Sequence, residues 1–384
     1  MKYIRNKEIQ GKKIILRTDF NVPVANGSIK EDFRIVACIP TIEYIVENGG
    51  TVLIVSHRGR PEGVDSSLSL EPIATHLSTL LDAPVSFFRT TDDAKKGMSG
   101  MKQGGIAVLE NIRFDEREEK NSGELAVELA ALGDVFVNDA FAVSHRKHTS
   151  VVALPKRMES YAGLLFQREI DALSSLRHSH RKPVVFIMGG AKARSKIRMI
   201  EALQGAVSHF CFGGVLANEI LVSHGIDVGK SVITEDAEVQ NYLASMRVPR
   251  EKIILPVDFV VSPDMEGKGG KTIKMIDEIQ GSDMILDIGP QTVDVFATHI
   301  INAKTVFFNG PLGYIEDDDF DFGTLRVIDS FRRSNAEITV GGGESIFALD
   351  MAKARGAVDH ISTGGGAMLE YLADGTLPGI EALR

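Results

Sequence analysis

Cysteine is almost missing from this chain: Cys38 and Cys211 are the only two among 384 residues, far apart and without metal-ligand spacing. That excludes a disulfide framework and a cysteine zinc site, and it fits a reducing, cytoplasmic setting in which each thiol serves as a small buried apolar residue. Long apolar runs are missing too. No stretch approaches the roughly 18–20 residues that a membrane span needs, and residues 1–13 are too polar for the apolar segment of a signal peptide. Positive charge is in deficit, with 43 Lys and Arg against 52 Asp and Glu and a net charge of −9, which argues against a general nucleic-acid binder. The familiar nucleotide loops are absent as well. Residues 225–231 (GIDVGKS) have one residue too few between their glycines for a Walker A loop, and residues 270–272 (GKT) lack the upstream glycine. No segment satisfies GxGxxG, which speaks against a nicotinamide oxidoreductase. Metal motifs fall short in the same way. Residues 145–148 (HRKH) lack a zincin glutamate and a third ligand, and read as a basic contact or solvated loop. Residues 317–321 (DDDFD) lack the glycine and final glutamate of an EF-hand and read as a solvated acidic stretch, and residues 116–120 as an exposed charge run.

The chain does have the length and alternation of a two-domain α/β protein. At 384 residues it exceeds the roughly 250–300 at which single cores stop growing, and 43% apolar with 25% charged residues is ordinary for a folded protein. Short β-branched or apolar runs at residues 13–16, 52–55, 85–88, 106–109 and 135–137 alternate with helical-period segments. The pattern resumes at 184–188, 209–212, 253–257, 284–288, 305–308, 338–340 and 360–362. It predicts two doubly wound parallel-sheet, Rossmann-like domains. Leucines and Ile170 at helical spacing over 161–177, broken by RHSHRKP at 177–183, predict a linking hinge helix between them.

The strand exits differ between the halves. Arg17, His57, Arg60, Arg113 and Arg146 come after strands of the first half, and Arg34 after a short polar stretch. Strands of the second half lead into glycine at 189–190, 213–214, 289, 310, 341–343 and 364–366. In open α/β sheets ligands bind beyond the carboxyl ends of the strands. One domain is therefore expected to present converging Arg and His side chains, suited to a small, multiply anionic ligand. The other is expected to present a ring of backbone amides suited to a nucleotide polyphosphate. Two anionic ligands on one protein point to phosphoryl transfer.

At these residues the sequence resembles the phosphoglycerate kinase family over nearly its whole length. The resemblance is carried by residues 17–23 (RTDFNVP), 56–61 (SHRGRP), 109–114 (LENIRF) and 138–141 (NDAF) through His148. It continues through 189–192 (GGAK), 255–258 (LPVD), 286–290 (LDIGP), 309–313 (NGPLG) and 362–367 (STGGGA), in the family's order. The resemblance implies a monomer that transfers a phosphoryl group reversibly between 1,3-bisphosphoglycerate and ADP, with magnesium, giving 3-phosphoglycerate and ATP. It implies a phosphoglycerate-binding domain of residues 1–160 plus 370–384, a hinge at 161–182 and a nucleotide-binding domain at 183–369, with the tail packing back on the first domain. Asp19, Phe20, Asn21, Arg34, His57, Arg58, Gly59, Arg60, Arg113 and Arg146 would hold phosphoglycerate. Gly190, Ala191, Lys192, Lys196, Gly213, Gly214, Gly289, Asn309, Pro311, Glu316, Gly342, Gly343, Glu344 and Ser345 would hold ATP or ADP. Arg34, Lys192, Gly342 and Gly365 would bracket the moving group, and Glu344 would contact magnesium. Three positions depart from the family's pattern, all on the nucleotide side. Glu344 replaces a usual aspartate, residues 193–195 (ARS) replace a valine, small residue and aspartate, and Phe212 stands first in a usual glycine triplet. A non-catalytic binding protein of the same fold is the competing expectation that these departures raise.

Overall fold

A computed structural model of the chain describes residues 1–384 except 26, 180, 192 and 235, and without the side chains of Asn6 and Ser195. Lys192 and the Ser195 side chain, both singled out above, thus lie outside the described residues. The chain divides into two compact units, Met1–Asp171 with Thr376–Arg384, and Ala172–Gly375.

The first unit is built on a six-stranded sheet in the order Val85–Phe88, Ile106–Leu109, Thr51–Val55, Lys13–Arg17, Val135–Asn138, Glu159–Ala162. Every pairing is parallel. The inner strands are continuous runs of Val, Ile, Leu and Phe because helices cover both faces, and a parallel sheet has no wet side on which to place alternate polar residues. Residues 161 and 162, expected to open the linking helix, instead end an edge strand, and the helix itself is Leu164–Arg177. The C-terminal tail belongs to this unit: Gly379 N–H donates to Ser144 O at 2.8 Å, and Ala382 packs on Ala140, Val143, Val151 and Val152.

The second unit carries a parallel sheet in the order Ile253–Ile254, His209–Phe212, Val184–Met188, Thr305–Asn309, Glu337–Gly341, His360–Ser362. Numbered along the chain this order is 3-2-1-4-5-6, the arrangement of dinucleotide-type doubly wound folds. Met284–Ile288 departs from expectation. It pairs antiparallel with Asp258–Ser262, which pairs antiparallel with Thr272–Met275, in a separate three-stranded sheet. A short apolar run does not reveal the direction of its neighbour, so periodicity alone could not separate this sheet from the parallel one.

The unit boundaries fall at 171/172, inside the expected hinge of 161–182, and at 375/376, whereas the sequence reading ends the first domain at 160, starts the second at 183 and has the later boundary at 369/370. The helix Gly366–Asp374 explains the second difference. Tyr371 Oη lies 2.7 Å from Ser174 Oγ and Asp374 pairs with Arg198 at 2.7 Å, both within the second unit. No helix among the described residues is long and apolar enough to cross a membrane.

Glycine at the inner strand ends of this unit is dictated by backbone crowding. A Cβ on Gly214, whose φ is +56°, would stand 2.9 Å from Gly190 N and 3.0 Å from Pro311 O, and one on Gly189 would overlap the Pro311 carbonyl. Gly343, by contrast, has open space around its Cβ position. Gly189→Ala is therefore expected to lower unfolding free energy by roughly 2–3 kcal/mol in urea titrations. Gly343→Ala should leave it unchanged or raise it by up to about 1 kcal/mol.

Candidate active site

The arginines of the first unit converge where two central strands end. Lys13–Arg17 and Val135–Asn138 are neighbours from which the chain runs to opposite edges of the sheet, so a crevice opens beyond their carboxyl ends. Arg17, the last residue of its strand, is fully buried. Its Nε donates to Ser150 Oγ at 2.7 Å, its Nη1 donates to Thr18 O, and Glu118 Oε1 stands 3.9 Å from its Nη2. Glu118 is fully buried as well and accepts from Ser150 Oγ at 2.6 Å and Ser150 N at 2.9 Å. The reading of residues 116–120 as an exposed charge run is thus corrected at its centre. Glu116, Glu119 and Lys120 are exposed, but Glu118 turns inward as the counter-charge of a buried arginine.

Asp19 organises the next layer. It accepts from Arg34 Nη1 at 2.6 Å and from Asn21 N at 3.1 Å, and His57 Nδ1 lies 3.8 Å away. Arg34 reaches it from the first turn of the helix Phe33–Glu47. Phe20 is buried, and its N–H donates to Ser56 Oγ at 2.9 Å. Gly59 N–H donates to Asn21 Oδ1 at 2.9 Å, and Arg113 Nη1 donates to Gly59 O at 2.5 Å. Arg146 is half-buried, with Nε 3.4 Å from His145 Nε2. Two expected residues stand apart from this network. Arg58 sends Nη1 to Ser67 O at 2.7 Å and Ser69 O at 3.2 Å, which commits its guanidinium to a loop. Arg60 is exposed.

The cluster is short of negative charge. Burial, then Arg17, Arg113, Arg146 and Arg34, hold the His57 imidazole well below its usual range. Burial, then Arg113, Arg146 and Arg17, push His148 down to about 4. Burial lowers even Arg113, to about 10, with Arg146 and Arg17 adding to the effect. Arg17 Nη2, Arg113 Nη2, and Nδ1 of His57, His145 and His148 are buried without a hydrogen-bond partner among the described residues, while Arg113 Nε has Glu119 Oε1 as an ion-pair partner at 3.3 Å. Buried donors of this kind cost free energy unless an acceptor arrives. A carboxylate or phosphate is the acceptor that forked guanidinium groups fit best. His145, His148 and Glu118 were not among the expected site residues. The two histidines flank Arg146 in the HRKH segment, so that segment held a signal, whereas nothing local marked Glu118 as buried.

In the second unit the crevice opens between Val184–Met188 and Thr305–Asn309, where the strand order reverses. The expected ring of backbone amides does not come from these turn glycines themselves. Gly190 N–H donates to Pro311 O at 2.7 Å, Gly213 to Met188 O at 2.9 Å, Gly214 to Leu312 O at 2.9 Å and Gly289 to Asp258 O at 2.8 Å. These glycines let backbones touch, and their amides are spent on one another. The amides that remain for a ligand are those of helix first turns, which have no intrahelical acceptor. Helices Ala193–Leu203, Gly343–Met351 and Gly366–Asp374 start at these strand exits, with Gly342 (φ +99°) and Gly365 (φ +51°) as the caps preceding the latter two, where glycine is needed. Asn309 Nδ2 donates to Gly341 O at 2.6 Å, and Ser345 Oγ accepts from Gly310 N at 2.7 Å, which ties the second helix start to the turn.

Gly190 sits between opposite charges: the position of a Cβ on it lies 3.4 Å from both Glu344 Oε2 and Lys196 Nζ. Lys196 is buried and donates to Gly189 O. A cleft of about 240 Å³ joins Gly190, Ala191, Gly214, Pro311, Glu316 and Glu344 to an apolar wall of Val215, Val232, Leu286 and Leu312, with Tyr314 and Asn218 also lining it. An apolar wall beside a polar turn is a lining that can take a flat apolar group next to an anionic one. The wall residues carried no sequence signal, since apolar side chains at strand and helix ends read as ordinary core. Gly289 does not line this cleft: Asp258 crowds the position its Cβ would take and accepts from Gln291 N at 3.0 Å. Glu344 offers the hard oxygen that magnesium prefers, and no cluster of three or more His, Cys, Asp or Glu among the described residues forms a metal cage. One protein carboxylate fits an ion that keeps waters and is carried largely by phosphates.

A doubly wound fold with a basic crevice in one unit and a polyphosphate-type crevice in the other marks an α/β phosphotransferase. The phosphoglycerate kinase profile matches residues 4–375. The phosphoglycerate kinase of Herpetosiphon aurantiacus is 40% identical, covering 99% of this chain and 98% of the relative. That of Dictyoglomus turgidum is 38% identical with the same coverage. Among solved structures, phosphoglycerate kinase from Coxiella burnetii superposes with a TM-score of 0.88 at 34% identity, over 99% of this chain and 98% of that one. The enzyme from Pyrococcus horikoshii OT3 also gives 0.88, at 31% identity, over 100% and 98%. The chain belongs to the phosphoglycerate kinase family.

The buried charges lead to two expected outcomes. Glu118→Ala leaves Arg17 buried without its counter-charge and is expected to lose about 3–5 kcal/mol in urea titrations. His148 has its folded value below the unfolded 6.5, so the unfolded chain binds the proton more readily. Stability is then lost as pH falls from 6.5 towards about 4, by up to roughly 3 kcal/mol. In melting curves across that window, His148→Gln should show a shallower decline than the unsubstituted chain.

Proposed function

We propose that this chain transfers a phosphoryl group reversibly between 1,3-bisphosphoglycerate and ADP, giving 3-phosphoglycerate and ATP, as a monomeric cytoplasmic enzyme of glycolysis. The observation that carries the reading is the set of buried guanidinium and imidazole nitrogens in the first unit, among them Arg17 Nη2, Arg113 Nη2 and His57 Nδ1, that make no hydrogen bond among the described residues. Phosphoglycerate, with a carboxylate and a phosphate, is an acceptor of matching charge.

In the ATP-consuming direction the carboxylate of 3-phosphoglycerate is already ionised near neutral pH, so no general base is needed. A carboxylate oxygen forms a bond to the γ-phosphorus while the bond to the β-phosphate oxygen breaks, and ADP leaves. Positioning and charge stabilisation carry the catalysis. Asp19 holds Arg34 at the rim of the first crevice, and Arg34 is assigned to the oxygens of the moving group. Arg113 and Arg146 are assigned to phosphoglycerate, with Asn21, His57 and Arg60. The first-turn amides of Gly343–Met351 and Gly366–Asp374, with Lys192 and Lys196, are assigned to the nucleotide phosphates, and Glu316 to the rest of the nucleotide at the cleft. Glu344 is assigned to magnesium, which neutralises phosphate charge when bound with the nucleotide. The two ligands must meet for transfer, and residues 161–182 are the proposed hinge.

A coupled assay with 3-phosphoglycerate and Mg-ATP tests the reading, with turnover expected. Binding of both ligands without turnover would favour a non-catalytic protein of the same fold. Arg34→Ala is expected to lower kcat about 10²–10³-fold while leaving the KM for Mg-ATP near its original value. Glu344→Ala should raise the magnesium concentration needed for half-maximal velocity.

A further inference from the structure

Two strand exits of the first unit are held together by Asn111, a side chain outside the expected site residues. Thr51–Val55 and Ile106–Leu109 pair in parallel, so residues 56–61 and 110–114 leave the sheet side by side. Asn111 is buried and reaches from the second segment to the first. Its Oδ1 accepts from Arg113 N at 3.1 Å and from Arg58 N at 3.2 Å. Its Nδ2 donates to Arg58 O at 2.7 Å and to Leu68 O at 3.0 Å. Both lone pairs of the amide oxygen and both amide protons are used, which is the full capacity of an asparagine side chain. Beside it, Ile112 N–H donates to Ser56 O at 3.1 Å.

A second clamp closes the same loop. Arg58 Nη1 donates to Ser67 O at 2.7 Å and to Ser69 O at 3.2 Å, so residues 58–69 fold back on themselves. The loop is tight: Gly59 has φ +65°, and a Cβ on it would stand 2.8 Å from Leu68 Cδ1. What the loop presents to Arg113 is a carbonyl. Gly59 O accepts from Arg113 Nη1 at 2.5 Å, and Glu119 Oε1 stands 3.3 Å from Arg113 Nε. Arg113 is therefore held at its backbone by Asn111, at Nη1 by the loop and at Nε by a carboxylate. Its Nη2 is buried and makes no hydrogen bond among the described residues.

We propose that Asn111, with Arg58, is a positioning residue for phosphoglycerate: the two side chains fix the loop whose Gly59 carbonyl holds the Arg113 guanidinium, and so leave Nη2 as the nitrogen that Arg113 offers the ligand. The inference rests on the reading of Arg113 as a phosphoglycerate-binding residue. The physical reason is orientation. A guanidinium is a planar fork, and a carbonyl fixed at one prong sets the plane in which the remaining donor lies. Without the Asn111 amide, two buried N–H groups and two buried carbonyls lose a partner, and the segments must shift to find others. Gly59 O moves with them, and Arg113 follows. Displacing a positioned group by about 1 Å can cost on the order of 10²-fold in rate. Asn111 itself touches no ligand in this account, so its effect falls on phosphoglycerate alone and passes through Arg113.

The test is a double-mutant cycle on the full chain, read as kcat/KM for 3-phosphoglycerate at saturating Mg-ATP, with calorimetric ADP affinity as the control. Asn111→Ala is expected to lower kcat/KM about tenfold, chiefly through KM, and to leave ADP affinity unchanged. In the Arg113→Ala background the same substitution is expected to cost less than about twofold, because the residue through which it acts is gone. Lower folding stability with kcat/KM unchanged would make Asn111 a structural support only and overturn the inference. An equal loss with and without Arg113 would overturn it as well, since Asn111 would then act independently. If Arg113→Ala alone leaves kcat/KM unchanged, the reading of Arg113 fails and the inference falls with it. Absence of turnover in the unsubstituted chain would overturn the proposed function and everything resting on it. Should Asn111→Ala fail to fold, Arg58→Ala takes its place in the cycle, with a loss of about threefold expected and the same results overturning the inference.

Discussion

Positive charge confined at the carboxyl ends of the first unit's central strands is the constraint on which the rest depends. Burial together with Arg146 lowers the proton affinity of Arg17, burial with Arg146 and Arg17 lowers that of Arg113, and burial with all three lowers that of His148; such repulsion in a partly dry crevice opposes folding. Glu118 and Asp19 offset part of it from inside the protein. Glu119 pairs with Arg113 at the crevice as well, and in the proposed function the remainder is met by a small, doubly anionic ligand. His57, His145 and His148 contribute donors without adding full charges, because burial and the same arginines keep them neutral.

The second unit solves a different problem. Its crevice must bring three chain reversals, after Met188, Phe212 and Asn309, within hydrogen-bonding reach of one another. Gly189, Gly214 and Gly310 allow this because any side chain there would meet backbone. The gain is a packed floor from which three helices start, and the positive ends of their dipoles, together with Lys196, are what the proposed function assigns to the polyphosphate. Glycine thus acts mostly one step removed from the ligand. Apart from Gly343 and Gly366, which open two of the helices, it places first-turn amides instead of supplying them.

Much of this was legible in the chain itself. Arg17, Arg113 and Arg146 come after strands, and strand ends are where doubly wound sheets bind, so their convergence followed from topology. The glycine exits were legible for the same reason, although their role was not: Gly190 and Gly289 look like free donors until the carbonyls of Pro311 and Asp258 are seen beside them. Glu118 was opaque because its neighbours in the run are exposed, and only the buried Arg17 across the fold explains its burial. Arg58 misled in the opposite sense, since its motif neighbours serve the crevice while its own guanidinium closes a loop. Met284–Ile288 showed as a strand, but not as part of an antiparallel sheet, because pairing direction lies in the partner and not in the strand.

The central claim is that the first unit holds an uncompensated cationic crevice awaiting an anion. Tracking the His57 and His148 imidazole signals by NMR, through a pH titration with and without 3-phosphoglycerate, tests it most directly. The account predicts that the ligand's negative charge raises both protonation midpoints from their depressed values. Midpoints that stay in place under saturating 3-phosphoglycerate would contradict it.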